Sequence, residues 1–85
     1  MNSNKQNLIN KIKYRSQYRG TKEMDIFVTS FVNKIINDLN FDELKQLNKI
    51  VNLSDEEIFT ISNSVKKLDI DQGIINLLID FKKKY

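Results

Sequence analysis

Apolar residues recur along this chain at the spacing of one helix face, and the polar residues between them fall where helices begin and end. The clearest stretch is Met24, Phe27, Val28, Phe31, Val32, Ile35, Ile36 and Leu39, which follows the i, i+3, i+4, i+7 rule in one broad stripe. Thr21 stands before it as an N-cap, and Glu23 and Asp25 occupy its first turn, where carboxylates meet the positive end of the helix dipole. An earlier segment has a thinner stripe of Leu8, Ile9 and Ile12 with the aromatic pair Tyr14 and Tyr18. A third opens on Asn40-Phe41-Asp42-Glu43, an N-cap with Glu at N3, and carries Leu44, Leu47, Ile50 and Val51. A fourth opens on the capping box Ser54-Asp55-Glu56-Glu57, followed by Ile58, Phe59 and Ile61. A fifth opens on Asp69-Ile70-Asp71-Gln72, with Ile70, Ile74, Leu77, Leu78 and Phe81 along one face. The pattern predicts helices over 5–18, 22–38, 41–52, 55–63 and 70–83.

No proline and only two glycines, Gly20 and Gly73, interrupt this pattern, and no strand periodicity competes with it. The gaps are short, as between antiparallel helical neighbours. The expected fold is therefore all-α, a compact five-helix bundle forming a single domain over residues 1–85. At this length a chain buries only about 60–65% of the surface it exposes when unfolded. An enclosed substrate cavity would remove packing that such a core needs, so function is expected on the surface.

Composition narrows the chemistry. There is no cysteine and no histidine. Disulfides and thiolate metal sites are excluded, as are the commonest general base and the commonest zinc ligand. Serine and threonine hydroxyls lack a histidine to activate them, and a lysine base would have to be buried and desolvated, whereas the lysines here sit in polar stretches. Two isolated glycines do not form a phosphate-cradling loop. The acidic pairs Asp42-Glu43 and Asp55-Glu56-Glu57 stand at helix starts, where capping accounts for them. The chain is thus expected to be no enzyme, to bind no metal and to hold no cofactor of its own. No apolar run approaches the roughly 20 residues a membrane span needs, and the opening MNSNKQNLINK lacks an apolar signal core. With the absence of cysteine, this gives the expectation of a cytoplasmic protein without membrane insertion.

Charge is unevenly distributed. Residues 1–22 carry +6, residues 23–81 carry −6, and Lys82, Lys83 and Lys84 add +3. A basic first segment fits a nucleic acid, an acidic membrane surface or an acidic patch on a protein, as well as an ordinary solvated helix face. No helix-turn-helix pattern joins the basic residues, and the rest of the chain is net negative, so the nucleic-acid reading stands as an alternative beside a protein partner.

One segment combines these features: Arg19-Gly20-Thr21-Lys22-Glu23-Met24-Asp25. Gly20 lies where a helix C-terminus takes a left-handed residue. It would let two helices meet at a sharp angle and bring the Arg19 guanidinium and the Glu23 carboxylate to one ridge. At 100° per residue Glu23 lies about 130° from the centre of the apolar stripe, and Ile26 nearly opposite it. The ridge reads either as a docking site or as a turn with an incidental surface pair, and Ile26 either as a contact point or as an ordinary exposed isoleucine.

At these residues the chain resembles the succinate dehydrogenase assembly factors that promote covalent FAD attachment, the SdhE family of bacteria and its mitochondrial counterparts. Arg19-Gly20-x-x-Glu23 is similar to the RGxxE signature, and Tyr14 to Asp25 is similar to the wider Y-x-S-x-x-R-G-x-x-E-x-D segment. Phe31 falls where the family has an aromatic residue, and Leu39 to Leu44, Asp55 to Phe59 and Ile74 to Phe81 resemble its later helices. Two departures stand out. Ile61 occupies the place of a common tryptophan, and 63–68 lacks the glycine or proline of the loop before the last helix.

The resemblance implies a protein partner: the flavoprotein subunit of succinate dehydrogenase, with fumarate reductase as a second candidate client. It implies that FAD belongs to the client and that this chain promotes its covalent attachment; the chain is expected to be a monomer when free. It implies a client-binding patch of Arg19, Gly20, Glu23 and Asp25, widened by Tyr14, Arg15 and Ser16, with Ile26 beside it. A generic helical adaptor with another client remains the alternative.

Overall fold

The structure, a computed structural model, describes residues 3–18, 20–61 and 70–84. Among these residues five α-helices follow in order: α1 (Ser3–Gln17), α2 (Lys22–Ile35), α3 (Phe41–Val51), α4 (Asp55–Thr60) and α5 (Gln72–Lys84), with a 3-10 turn at Ile36–Asp38 after α2. No strand occurs among the described residues. The Cα radius of gyration is 12.2 Å, close to the roughly 12 Å of a compact chain of this length.

The helix starts are set by the residues that the sequence marks. The Thr21 hydroxyl accepts from the Met24 N–H at 3.3 Å. Asn40 and Glu43 form a reciprocal capping box, as do Ser54 and Glu57. Each box satisfies two N–H groups that a helix start otherwise leaves unpaired. Asp71 caps α5, accepting from the Gly73 N–H at 2.9 Å, while the Gln46 side chain of α3 accepts from the Asp71 N–H at 2.8 Å.

The core is built chiefly by α2 and α3. Met24, Val28, Phe31, Val32, Ile35, Ile36 and Leu39 are buried on one side, and Leu44, Leu47, Ile50 and Val51 on the other. Helix α1 packs against both α2 and α3 through Ile12, which is fully buried. The Phe81 ring of α5 lies 5.4 Å from Phe27 and 5.5 Å from Phe31, both tilted, a spacing at which aromatic edges and faces attract.

Three sequence expectations change. The helix expected over 22–38 ends at Ile35 and tightens into the 3-10 turn, which still buries Ile36 and Leu39. The helix expected over 55–63 stops at Thr60, with Ile61 in extended conformation. Here the Lys82 ammonium donates to the carbonyls of Phe59 and Ile61, and at 3.4 Å to that of Ile58. An ammonium has three donors for carbonyls a helix end leaves open, so α4 can stop without burying them unpaired. Desolvation pulls Lys82 below the usual lysine pKa. In α5 the core-facing residues are Ile74, Ile75 and Leu78, whereas Leu77 is 41% exposed. The helix is rolled toward Ile75 by its packing on α3, which the apolar spacing alone does not determine. The expected course of 62–69, including Asp69 as a helix start, lies outside the described residues.

Candidate functional site

The junction of α1 and α2 is a corner made by three residues of different kinds. Gly20 has φ +109°, a conformation that L side chains enter only with strain. A Cβ built there meets nothing within 4 Å. Glycine is therefore required by the backbone angle, and the space beside it opens to solvent. Thr21 follows in extended conformation and caps α2.

The third contribution comes from the far side of the corner. The Thr29 hydroxyl of α2 donates at 3.0 Å to the Ser16 carbonyl, one of the carbonyls that the end of α1 leaves without a helical partner. Ser16 Oγ in turn donates to the Lys13 carbonyl at 2.8 Å and lies 3.5 Å from the Thr29 hydroxyl. Ser16 is 1% exposed. This corrects one expectation: Ser16 offers no surface to a partner and instead ties the last turn of α1 to α2. Thr29→Val keeps the shape but removes the only donor to that carbonyl among the described side chains. It should lower stability by about 1 kcal/mol, read as a lower denaturant midpoint with an unchanged slope.

The other residues of the expected patch divide by exposure. Glu23 and Gly20 are exposed, Asp25 is half-buried, and Ile26 is 49% exposed one turn beyond Glu23. Arg15 is exposed, and Tyr14 and Tyr18 stand one turn apart with ring centroids 4.7 Å from each other. Arg19 lies outside the described residues. Among the described residues no salt bridge engages the Glu23 carboxylate.

Helix α4 borders this corner, which the sequence reading missed. Its first turn, with Ser54, Asp55 and Glu57, shares an open cleft with Arg15 and Tyr18. Phe59, near its end, shares a notch with Glu23, Met24 and Phe27. The available signal was Phe59 itself, an aromatic residue lying about 130° from the centre of the Ile58–Ile61 face. No group of acidic residues able to hold a metal ion occurs among the described residues, and none of their helices is long and apolar enough to cross a membrane.

Comparison with known proteins bears on what such a corner serves. A family model described as flavinator of succinate dehydrogenase matches residues 10–82. A curated relative, the mitochondrial succinate dehydrogenase assembly factor 2 of Cryptococcus neoformans var. neoformans serotype D (strain B-3501A), is 36% identical over 56 residues. That alignment covers 66% of this chain and 31% of the relative, so the chain spans about a third of the relative's length. No solved structure matches.

Proposed function

The chain belongs to the family of flavinators of succinate dehydrogenase, and from that premise we propose that it binds the immature flavoprotein subunit of that enzyme and promotes covalent attachment of FAD to it. The observation that carries this reading is the corner itself. Gly20 opens to solvent at a positive φ that a side chain would strain, and Glu23 is exposed beside it. A surface carboxylate next to a glycine without steric cover is suited to a backbone-close, charge-assisted contact with another protein.

In this proposal the bond-forming chemistry stays with the client and its flavin. The chain has neither histidine nor cysteine to offer, and its part is to hold client segments so that the accepting side chain reaches the flavin ring. Fixing two reactants in a near-attack geometry removes much of the entropic barrier to their reaction. Arg19, Gly20, Glu23 and Asp25 would form the centre of the contact, with Tyr14 and Arg15 on its α1 side. Fumarate reductase is a second candidate client, and a cytoplasmic site of action fits the cysteine-free composition.

Deleting the gene tests the proposal directly. Covalent flavin fluorescence on the flavoprotein band of a denaturing gel should disappear and return on complementation. Persistence of the full signal would refute it. Ile26→Asp should weaken client binding by roughly ten-fold, the cost of placing a charge in an apolar contact. Its thermal midpoint should stay unchanged, because Ile26 already faces solvent. Unaltered affinity would remove Ile26 from the contact.

A further inference from the structure

The notch beside the corner is mainly apolar although it opens to solvent. It is lined by Glu23, Met24 and Phe27 of α2, Phe59 of α4 and Lys82 of α5. Its volume is about 200 Å³. Phe59 is 67% exposed although its neighbours Ile58 and Ile61 are buried. The short helix that carries it is fixed at both ends, by the Ser54–Glu57 capping box and by Lys82 on its last carbonyls. An aromatic ring is thus held outward on a rigid support, the arrangement that gives an interface anchor little ordering entropy to lose.

The two charged residues of the lining differ. The Lys82 ammonium is engaged by the carbonyls of Ile58, Phe59 and Ile61. The Glu23 carboxylate meets no such partner among the described residues. The notch is therefore mainly apolar, and Glu23, exposed and among its lining residues, brings a negative charge to it. Its volume lies below the roughly 300 Å³ at which small-molecule and cofactor sites begin, so it suits a side chain better than a flavin.

We propose that this notch is a second docking subsite for the client, taking one large apolar side chain of the flavoprotein subunit while a neighbouring lysine or arginine of that subunit meets Glu23. The inference rests on the function proposed above and deepens it. Glu23 belongs to both surfaces, so the corner and the notch form one continuous contact, and α4 becomes part of the binding face.

The test is calorimetric titration of the full chain with FAD-free flavoprotein subunit, using wild type, Phe59→Ser and Gly20→Arg. Thermal melting and sedimentation of each chain alone accompany it. Phe59→Ser should weaken binding by at least roughly ten-fold, with unchanged melting and a monomeric wild type. If Phe59→Ser binds as wild type while Gly20→Arg does not, the notch is no subsite and the corner reading survives. If both bind as wild type, the corner reading falls and the notch with it. A lower melting midpoint for Phe59→Ser would show that the ring is packed by the chain's own residues and overturn the subsite. So would wild-type self-association that Phe59→Ser abolishes, which would make a second copy the occupant.

Discussion

Glu23→Ala and Gly20→Arg are each expected to abolish client flavinylation while leaving the helices intact. Glu23 is exposed in the first turn of α2, so truncating it removes no packing and only a small favourable interaction with the helix dipole, about 0.3–1 kcal/mol. In a desolvated contact the same truncation costs about 2–5 kcal/mol, roughly a 30- to 4,000-fold loss of affinity. Gly20→Arg acts differently. At φ +109° any L side chain carries strain of about 1–3 kcal/mol, which a small domain with about 5 kcal/mol of stability survives. The new side chain would also fill the open space beside the backbone. Gly20→Ala separates the two effects, since it carries the backbone strain without a long side chain. It should melt as low as Gly20→Arg yet bind the client more tightly than that variant does. Circular dichroism alongside the flavin-fluorescence gel checks all three. Loss of helix signal in Glu23→Ala would make the motif structural.

Phe31→Ala is expected to give the opposite outcome, with binding lost because the chain unfolds. Phe31 is 1% exposed at the centre of α2, with the Phe81 ring 5.5 Å away. Removing such a ring costs about 3–5 kcal/mol in transfer energy and residual cavity. Against a total of about 5 kcal/mol for a domain of this size, little or no margin remains. The variant should be substantially unfolded at ambient temperature by circular dichroism and should melt without a sharp transition. A cooperative melt within a few degrees of wild type would mean that α5 closes over the gap and that the core is less tightly packed than its burial indicates. The contrast between Phe31→Ala and Glu23→Ala distinguishes residues that build the corner from residues that would use it.

Local features of this protein were legible in its residues because local chemistry determines them. The starts of α2, α3 and α4 are fixed by Thr21, Asn40 and Ser54 bonding to N–H groups within their own first turns. The burial of α2 and α3 follows their stripes almost residue for residue, because those stripes are wide enough to leave the inward direction unambiguous. Gly20 announced a positive φ for the same reason: only glycine enters that region without strain.

Tertiary packing decided what depends on residues distant in sequence. Ser16 reads as a surface serine until Thr29, 13 positions later, is brought against its carbonyl. The end of α4 depends on Lys82, more than 20 positions away, and the roll of α5 on contacts with α3. The corner's border with α4, and so the place of Phe59 beside Glu23, exists only once the helices are assembled. Spacing within a helix states which side chains share a face. Which face meets which neighbour is set by the lowest-energy packing of the whole core, and no single segment contains that information.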